Sequence, residues 1–241
     1  MEVQFNNCKQ HSNRLYIEPL RDSVIWYRGA DPSTYRYWVR ELDRFLVRYT
    51  TASVDNVHKC DFQLPPPAGK VCDVDVRSWA PCVSEGRYAY DRSTPCIFLK
   101  LNKIFGWRPQ HYTSADALPD EMPTELKAHI RNATAHDADL LNMVWVSCEG
   151  ENPVDKENLG PVQYLPTRGF PARSSPSTSS GPRVSHPSIR LSLSRARMIT
   201  NRQFLITAGI LINVECRAWA RNIRYDRHEG IGKVHLELML E

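Results

Sequence analysis

Cysteines are the residues of this chain best suited to chemistry, and the seven of them stand at positions 8, 60, 72, 82, 96, 148 and 216. None forms a Cys-x-x-Cys pair and no His-x(3–5)-His pair accompanies them, so no zinc site is expected. A catalytic thiolate needs a neighbouring base or positive charge to lower its pKa. Cys148 and Cys216 instead end apolar, strand-like runs (Val144 to Cys148, Ile210 to Cys216), where a buried structural cysteine is expected. Cys60, Cys72, Cys82, Cys96, Cys148 and Cys216, with Cys8 as an outlier, suggest three disulfides formed in an oxidising compartment, their connectivity left open by the sequence. Asn132-Ala133-Thr134 agrees with that compartment, being an N-glycosylation acceptor in a polar stretch.

The other motifs that carry chemistry are missing. There is no Gly-x-Ser-x-Gly, no glycine-rich phosphate loop and no His-Glu-x-x-His, so neither a catalytic residue nor a cofactor nor a metal is expected. The pairs Glu149/Glu151 and Asp155/Glu157 lack EF-hand spacing and read as solvated turn carboxylates. His58, His111, His129, His136, His186 and His228 lie in polar contexts and read as surface histidines.

The net charge of +4 has a local origin. Residues 172–208 hold six arginines (Arg173, Arg183, Arg190, Arg195, Arg197 and Arg202) and no acid, and without them 25 basic residues face 27 acidic ones. No basic stripe interleaved with aromatics exists elsewhere, which argues against nucleic acid as a partner. The longest apolar stretch, Phe204 to Val214, is interrupted by Thr207, Gly209 and Asn213, short of the roughly 18–20 apolar residues that a membrane helix needs. The first residues lack the basic start and apolar run of a secretory signal. Composition thus conflicts with itself: cysteines and sequon point outside the cell, while no segment would carry the chain there, and one end is expected to be missing.

The elements that must position these residues are a helix and several strands. Asp31-Pro32 starts an amphipathic helix of about 18 residues, its apolar face made by Tyr35, Trp38, Val39, Leu42, Phe45, Leu46 and Tyr49. Pro65-Pro66-Pro67-Ala68-Gly69 breaks the chain between Cys60 and Cys72 and suits a short loop closed by a disulfide. Cys96–Leu101 alternates as a strand with one face more deeply buried, a short helix is expected from Pro123 through Ile130, and Met143–Cys148 reads as another strand. Ile210–Trp219 and Val234–Leu240 alternate as two strands joined by a charged turn around Asp226–Gly230. Strands separated by polar turns, with one strong helix, predict an antiparallel sandwich carrying helical insertions. The spacing of Cys148 and Cys216 would permit a bridge tying distant strands.

Several segments go further than composition. Ile25-Trp-Tyr-Arg-Gly29, Tyr35-Arg-Tyr-Trp38, Lys70-Val-Cys72, Pro95 through Trp107, Val144-Trp-Val-Ser-Cys-Glu-Gly150, Gly160-Pro-Val-Gln-Tyr164 and Ile212-Asn-Val-Glu-Cys-Arg-Ala-Trp219 occur in order. Together they closely resemble the extracellular domain of sodium/potassium-transporting ATPase beta subunits, in an insect- or arthropod-like form, over residues 25–171 and 209–241. The resemblance implies a mainly β, immunoglobulin-like antiparallel β-sandwich with helical insertions, tied by Cys60–Cys72, Cys82–Cys96 and Cys148–Cys216, with Cys8 unpaired. It implies a non-catalytic plasma-membrane subunit on the extracellular face. Its partner would be the catalytic alpha subunit, whose folding, membrane delivery and potassium handling it supports. The different class to set against this is a soluble immunoglobulin-like adhesion or binding module without pump association.

Two departures qualify the resemblance. Residues 1–24 read as an irregular leader without the transmembrane helix that the family places before the segment matching Ile25-Trp-Tyr. Within the domain at 25–241, residues 172–208 carry nine serines and six arginines where the family has a Tyr- and Pro-rich segment followed by an apolar strand. Such a composition is expected not to pack, as disorder or as a mis-predicted stretch of the gene.

Overall fold

Pro32–Thr50 forms the helix that the sequence predicts, α1. Asp31 Oδ1 accepts from the Ser33 amide at 2.9 Å and the Ser33 hydroxyl at 2.7 Å, which caps amides that have no partner inside the helix. Tyr35, Trp38, Leu42, Phe45 and Leu46 are buried, as their spacing requires. The computed structural model describes residues 15–19, 24–50, 57–58, 67, 71–72, 76–101, 109–159, 162–165, 188–193, 209–226 and 230–241.

Among these residues the strands are β1 (Leu15–Glu18), β2 (Val24–Tyr27), β3 (Val57–His58), β4 (Val71–Cys72), β5 (Cys96–Leu101), β6 (Trp145–Gly150), β7 (Val162–Leu165), β8 (Ser188–Leu193), β9 (Leu211–Trp219) and β10 (Lys233–Leu240). They build one four-stranded sheet in the order β1-β5-β8-β7, a second in the order β2-β10-β9-β6, and the small pair β3-β4. The pairing is not wholly antiparallel as expected. β2 joins β10 in parallel, Val24 opposite Glu237 and Tyr27 opposite Leu240, and β3 joins β4 in parallel. With α1, α2 (Thr124–His136) and α3 (Pro153–Leu159), the domain is mixed α/β.

Both large sheets contribute to one continuous core. Leu15, Ile17, Ile97 and Leu99 of the first belong to the same buried cluster as Ile25, Ile212, Val214, Cys216, Leu236 and Leu238 of the second. β5 is buried on both faces and not mainly on one: Phe98 is as inaccessible as Ile97 and Leu99. The reason is a roof over the opposite face, where Phe45 of α1, Trp79 and Tyr88 meet the Phe98 ring at centroid distances of 6.0, 5.8 and 6.1 Å.

Two further expectations change. The segment read as an irregular leader holds β1, whose Leu15 and Ile17 are buried and which runs antiparallel to β5, Ile17 opposite Leu99. In 172–208, where no packing is expected, Ser188–Leu193 form β8 between β5 and β7, Leu191 opposite both Ile97 and Tyr164. The rest of 172–208 lies outside the described residues.

The open edge of β2 is occupied by α1. Trp38 Nε1 donates to the Trp26 carbonyl at 2.9 Å, which uses a strand-edge acceptor that would otherwise invite pairing with another chain. Between Cys82 and Cys96 the backbone makes an unusual turn: Arg87, Tyr88 and Ala89 all have left-handed φ, at 48°, 51° and 58°. Each costs about 1–2 kcal/mol for an L-residue. Burial of Tyr88, Ala89 and Tyr90, and a 2.7 Å hydrogen bond from the Tyr88 hydroxyl to Asp43 Oδ1 of α1, hold the turn in place.

Candidate functional site

The outer face of the second sheet divides into three zones. At one end Trp145, Ser147 and Trp219 lie under residues 109–143. Trp219 Nε1 donates to Ser147 Oγ at 2.8 Å, and Tyr112, Leu118, Met122, Leu126 and Ile130 complete a separate buried cluster with the two indoles. His111 belongs to this covered end and is not a simple surface histidine: burial pushes its pKa below the ordinary value, against an opposing hydrogen bond to the Met143 backbone. His129, also read as a surface residue, sets its ring 6.0 Å from that of Trp145.

The middle zone is a belt of charge. Glu215 of β9 accepts from Arg217 at 2.6 Å and from Lys233 of β10. Burial raises the Glu215 pKa, but these two hydrogen bonds and the charges behind them outweigh it, so the carboxyl sits below the usual range. His235 Nδ1 lies 2.7 Å from Glu151, and Lys156 of α3 pairs with Glu149 at 3.3 Å. The lysine offsets the direct cross-strand opposition of Glu149 and Glu215.

At the far end Leu211, Met239 and Trp26 stand opposite one another across β9, β10 and β2. Leu211 is 43% and Trp26 37% exposed. Beside them Arg28 pairs with Glu241 at 2.6 Å and its guanidinium lies 5.5 Å from the Trp26 ring centroid, a cation–π distance. This is an apolar row with a charged border, open to solvent.

Of the residues singled out from the sequence, Cys148 and Cys216 face each other in register on adjacent strands and are bonded, with Cα atoms 4.0 Å apart. That bridge staples neighbours within one sheet and does not tie distant strands, because β6 pairs directly with β9. Cys82 and Cys96 are bonded with Cα atoms 5.6 Å apart and close the loop containing the left-handed turn. Cys8 and Cys60 lie outside the described residues, while the backbone of Cys72 pairs with that of His58. Asn132 is exposed on α2, which runs six residues past Ile130, where the sequence expects the helix to stop.

Asp155 is a further residue that sequence reasoning placed wrongly. Read as a solvated turn carboxylate, it is only 3% exposed. Its Oδ1 accepts from the Asn213 amide of β9 at 3.0 Å and its Oδ2 from the Asn152 amide at 3.3 Å, while Asn152 Oδ1 accepts from the Asp155 amide at 3.0 Å. The reciprocal pair is a capping box at the start of α3, with Pro153 at the first helical position. Asn152-Pro153-x-Asp155 was therefore a readable signal. β6 ends at Gly150, so the carboxylate supplies Asn213 with an acceptor where that strand stops. Gly150 must be glycine, because a Cβ there would lie 2.3 Å from the Lys156 amide nitrogen. Among the described residues, no three His, Cys, Asp or Glu side chains are grouped to hold a metal. No helix among them is long and apolar enough to cross a membrane.

Two sheets around one core, stapled by disulfides and using buried polar groups to join elements, define a disulfide-bonded mixed α/β domain. Residues 9–236 match the family described as the sodium/potassium ATPase beta chain. The chain belongs to that family. It is 45% identical over 230 residues to the sodium/potassium-transporting ATPase subunit beta-2 of Drosophila melanogaster, covering 93% of this chain and 68% of the relative. It is 33% identical to subunit beta-1 of the same fly over 223 residues, covering 92% and 67%. It is 27% identical to a probable subunit beta-3 of Caenorhabditis briggsae over 227 residues, covering 91% and 61%. The chain thus spans about two thirds of the length of these relatives.

Proposed function

We propose that this chain is the extracellular portion of a non-catalytic beta subunit. It binds the catalytic alpha subunit of a sodium/potassium-transporting P-type ATPase at the outer face of the plasma membrane. The carrying observation is the family match over residues 9–236. The 45% identity to the fly beta-2 subunit supports an arthropod-like form. The subunit acts by contact alone: it supports the folding and membrane delivery of its partner, and it shifts potassium handling by favouring one pump conformation through differential binding. We read the two four-stranded sheets around their shared core as an immunoglobulin-like sandwich with helical insertions. A third bridge, Cys60–Cys72, completes the set with Cys82–Cys96 and Cys148–Cys216.

Affinity capture tests the reading. The full chain, directed into the endoplasmic reticulum of cells expressing a sodium/potassium-pump alpha subunit, is expected to retain that subunit through mild-detergent purification. Secretion of the chain with no alpha subunit bound would overturn the reading and favour a free binding module.

A further inference from the structure

Among the described residues, four buried side-chain polar atoms have no hydrogen-bond partner, and two of them, His111 Nδ1 and Trp145 Nε1, belong to the covered end of the second sheet. The His111 ring donates to the Met143 carbonyl. With Nδ1 unpartnered, Nε2 is the donor, and Nδ1 of the neutral ring is a dry lone pair. His111 thereby closes 109–143 at its neck, joining the start of the segment to its last residue. Just before it, the Gln110 carbonyl accepts from the Arg221 amide and the Gln110 amide donates to Asn222 Oδ1, both at 2.8 Å.

The cover that this neck closes is a unit of its own. α2 packs against the turns Ala115–Ala117 and Ala138–Asn142 of the same segment, and its Leu126 and Ile130 sit in a cluster separate from the main core. Beneath it the sheet is held independently, because Cys148–Cys216 bonds β6 to β9 three residue pairs along from Trp145 and Trp219. A layer with its own small cluster opens at a lower free energy than the domain as a whole.

We propose that the cover over Trp145 and Trp219 is a pH-released latch: protonation of His111 unfastens residues 109–143 while the sheet below stays paired. The added proton arrives at Nδ1, a buried position without an acceptor, and the other unpartnered atom at this end is an N–H, which cannot receive it. Among the described residues no carboxylate acts on the ring. Glu121 acts on Tyr112 and Tyr225, Arg217 acts on Tyr225, and the exposed His129 lies against Trp145, whereas His111 is subject to its burial and to the Met143 carbonyl. Burial holds the ring's pKa below 6.5 in the closed form, and release returns it to the ordinary value. The closed form therefore binds fewer protons and loses ground as pH falls through 6.5, the range in which imidazole switches work.

Hydrogen exchange of the disulfide-bonded full chain at pH 7.5 and 5.5, corrected for the intrinsic pH dependence of amide exchange, tests the latch. One proton shifts an equilibrium by at most about tenfold over this interval. Protection of the α2 amides is expected to fall severalfold at pH 5.5, with β9 and β10 unchanged. His111→Gln removes the titrating ring and is expected to abolish the fall, whereas His129→Gln is expected to keep it. Equal α2 protection at the two pH values, a fall shared with β9 and β10, or a fall that survives His111→Gln would overturn the proposal. The His111 ring resonances of the wild-type chain give a second reading that needs no variant. A titration midpoint below 6.5 is expected, and one at or above 6.5 would overturn the latch.

Discussion

Asp155 shows how one side chain can cap its own helix and join it to a strand. Removing its carboxylate leaves the Asn213 and Asn152 amides without their acceptors, at about 1–3 kcal/mol for each group that stays dry. Asp155→Ala is therefore expected to lower stability by about 2–4 kcal/mol, measured by urea unfolding, and Asp155→Asn by less because one acceptor oxygen remains. Arg87 offers the opposite case. It is exposed with φ of 48°, so glycine there relieves left-handed strain without losing burial. Arg87→Gly is expected to stabilise by about 0.5–1 kcal/mol, seen as a rise in melting temperature. Acid titration separates two other residues. The His111 pKa is lowered in the fold, so the unfolded chain takes its proton first and stability declines as pH falls through the ordinary value of 6.5. The Glu215 pKa is also lowered: its contribution is complete above the ordinary carboxylate value of 4.5 and is lost as pH falls through the lower folded value. His111→Gln is expected to remove the upper step and leave the lower one, as read from unfolding free energies at pH 7.5, 5.5 and 4.

Among the elements, those whose pattern is local could be read from sequence. α1 has both a capping residue and an apolar stripe, and β9 and β10 alternate cleanly to either side of a charged turn. β1 and β8 could not be read in the same way. Leu15 and Ile17 make too short an alternation to stand out, and Ile189, Leu191 and Leu193 lie in a serine- and arginine-rich background. Each is specified by pairing with β5 across long sequence separations, a property that periodicity does not report. The parallel entry of β2 beside β10 is equally a matter of topology. Cys148 and Cys216 stood out as residues, but their neighbouring positions within one sheet followed only from the register of β6 with β9. The bridges predict their own ranking. In the chain-entropy description, Cys148–Cys216 closes a separation of 68 residues and Cys82–Cys96 one of 14, for about 4 and about 3 kcal/mol. C148S/C216S is thus expected to melt below C82S/C96S, the reverse order indicating that native-state strain dominates. Peptide mapping without reduction is expected to recover Cys60 linked to Cys72, with Cys8 free.

At the scale of the whole molecule, the domain has one face that it covers for itself and one end that it leaves open. Residues 109–143 shelter Trp145 and Trp219, charges fill the centre of the same sheet, and Leu211, Met239 and Trp26 remain in contact with water beside Arg28 and Glu241. The buried carboxylate, indole and hydroxyl groups named above serve cohesion, as befits a partner that works by binding. The measurement closest to the central claim is the surface abundance of a pump alpha subunit in cells depleted of their own beta subunits. Surface biotinylation with and without the full, endoplasmic-reticulum-directed chain would read it. A several-fold rise on adding the chain is the expected result. An unchanged surface level, with the chain folded and secreted alone, would contradict the account.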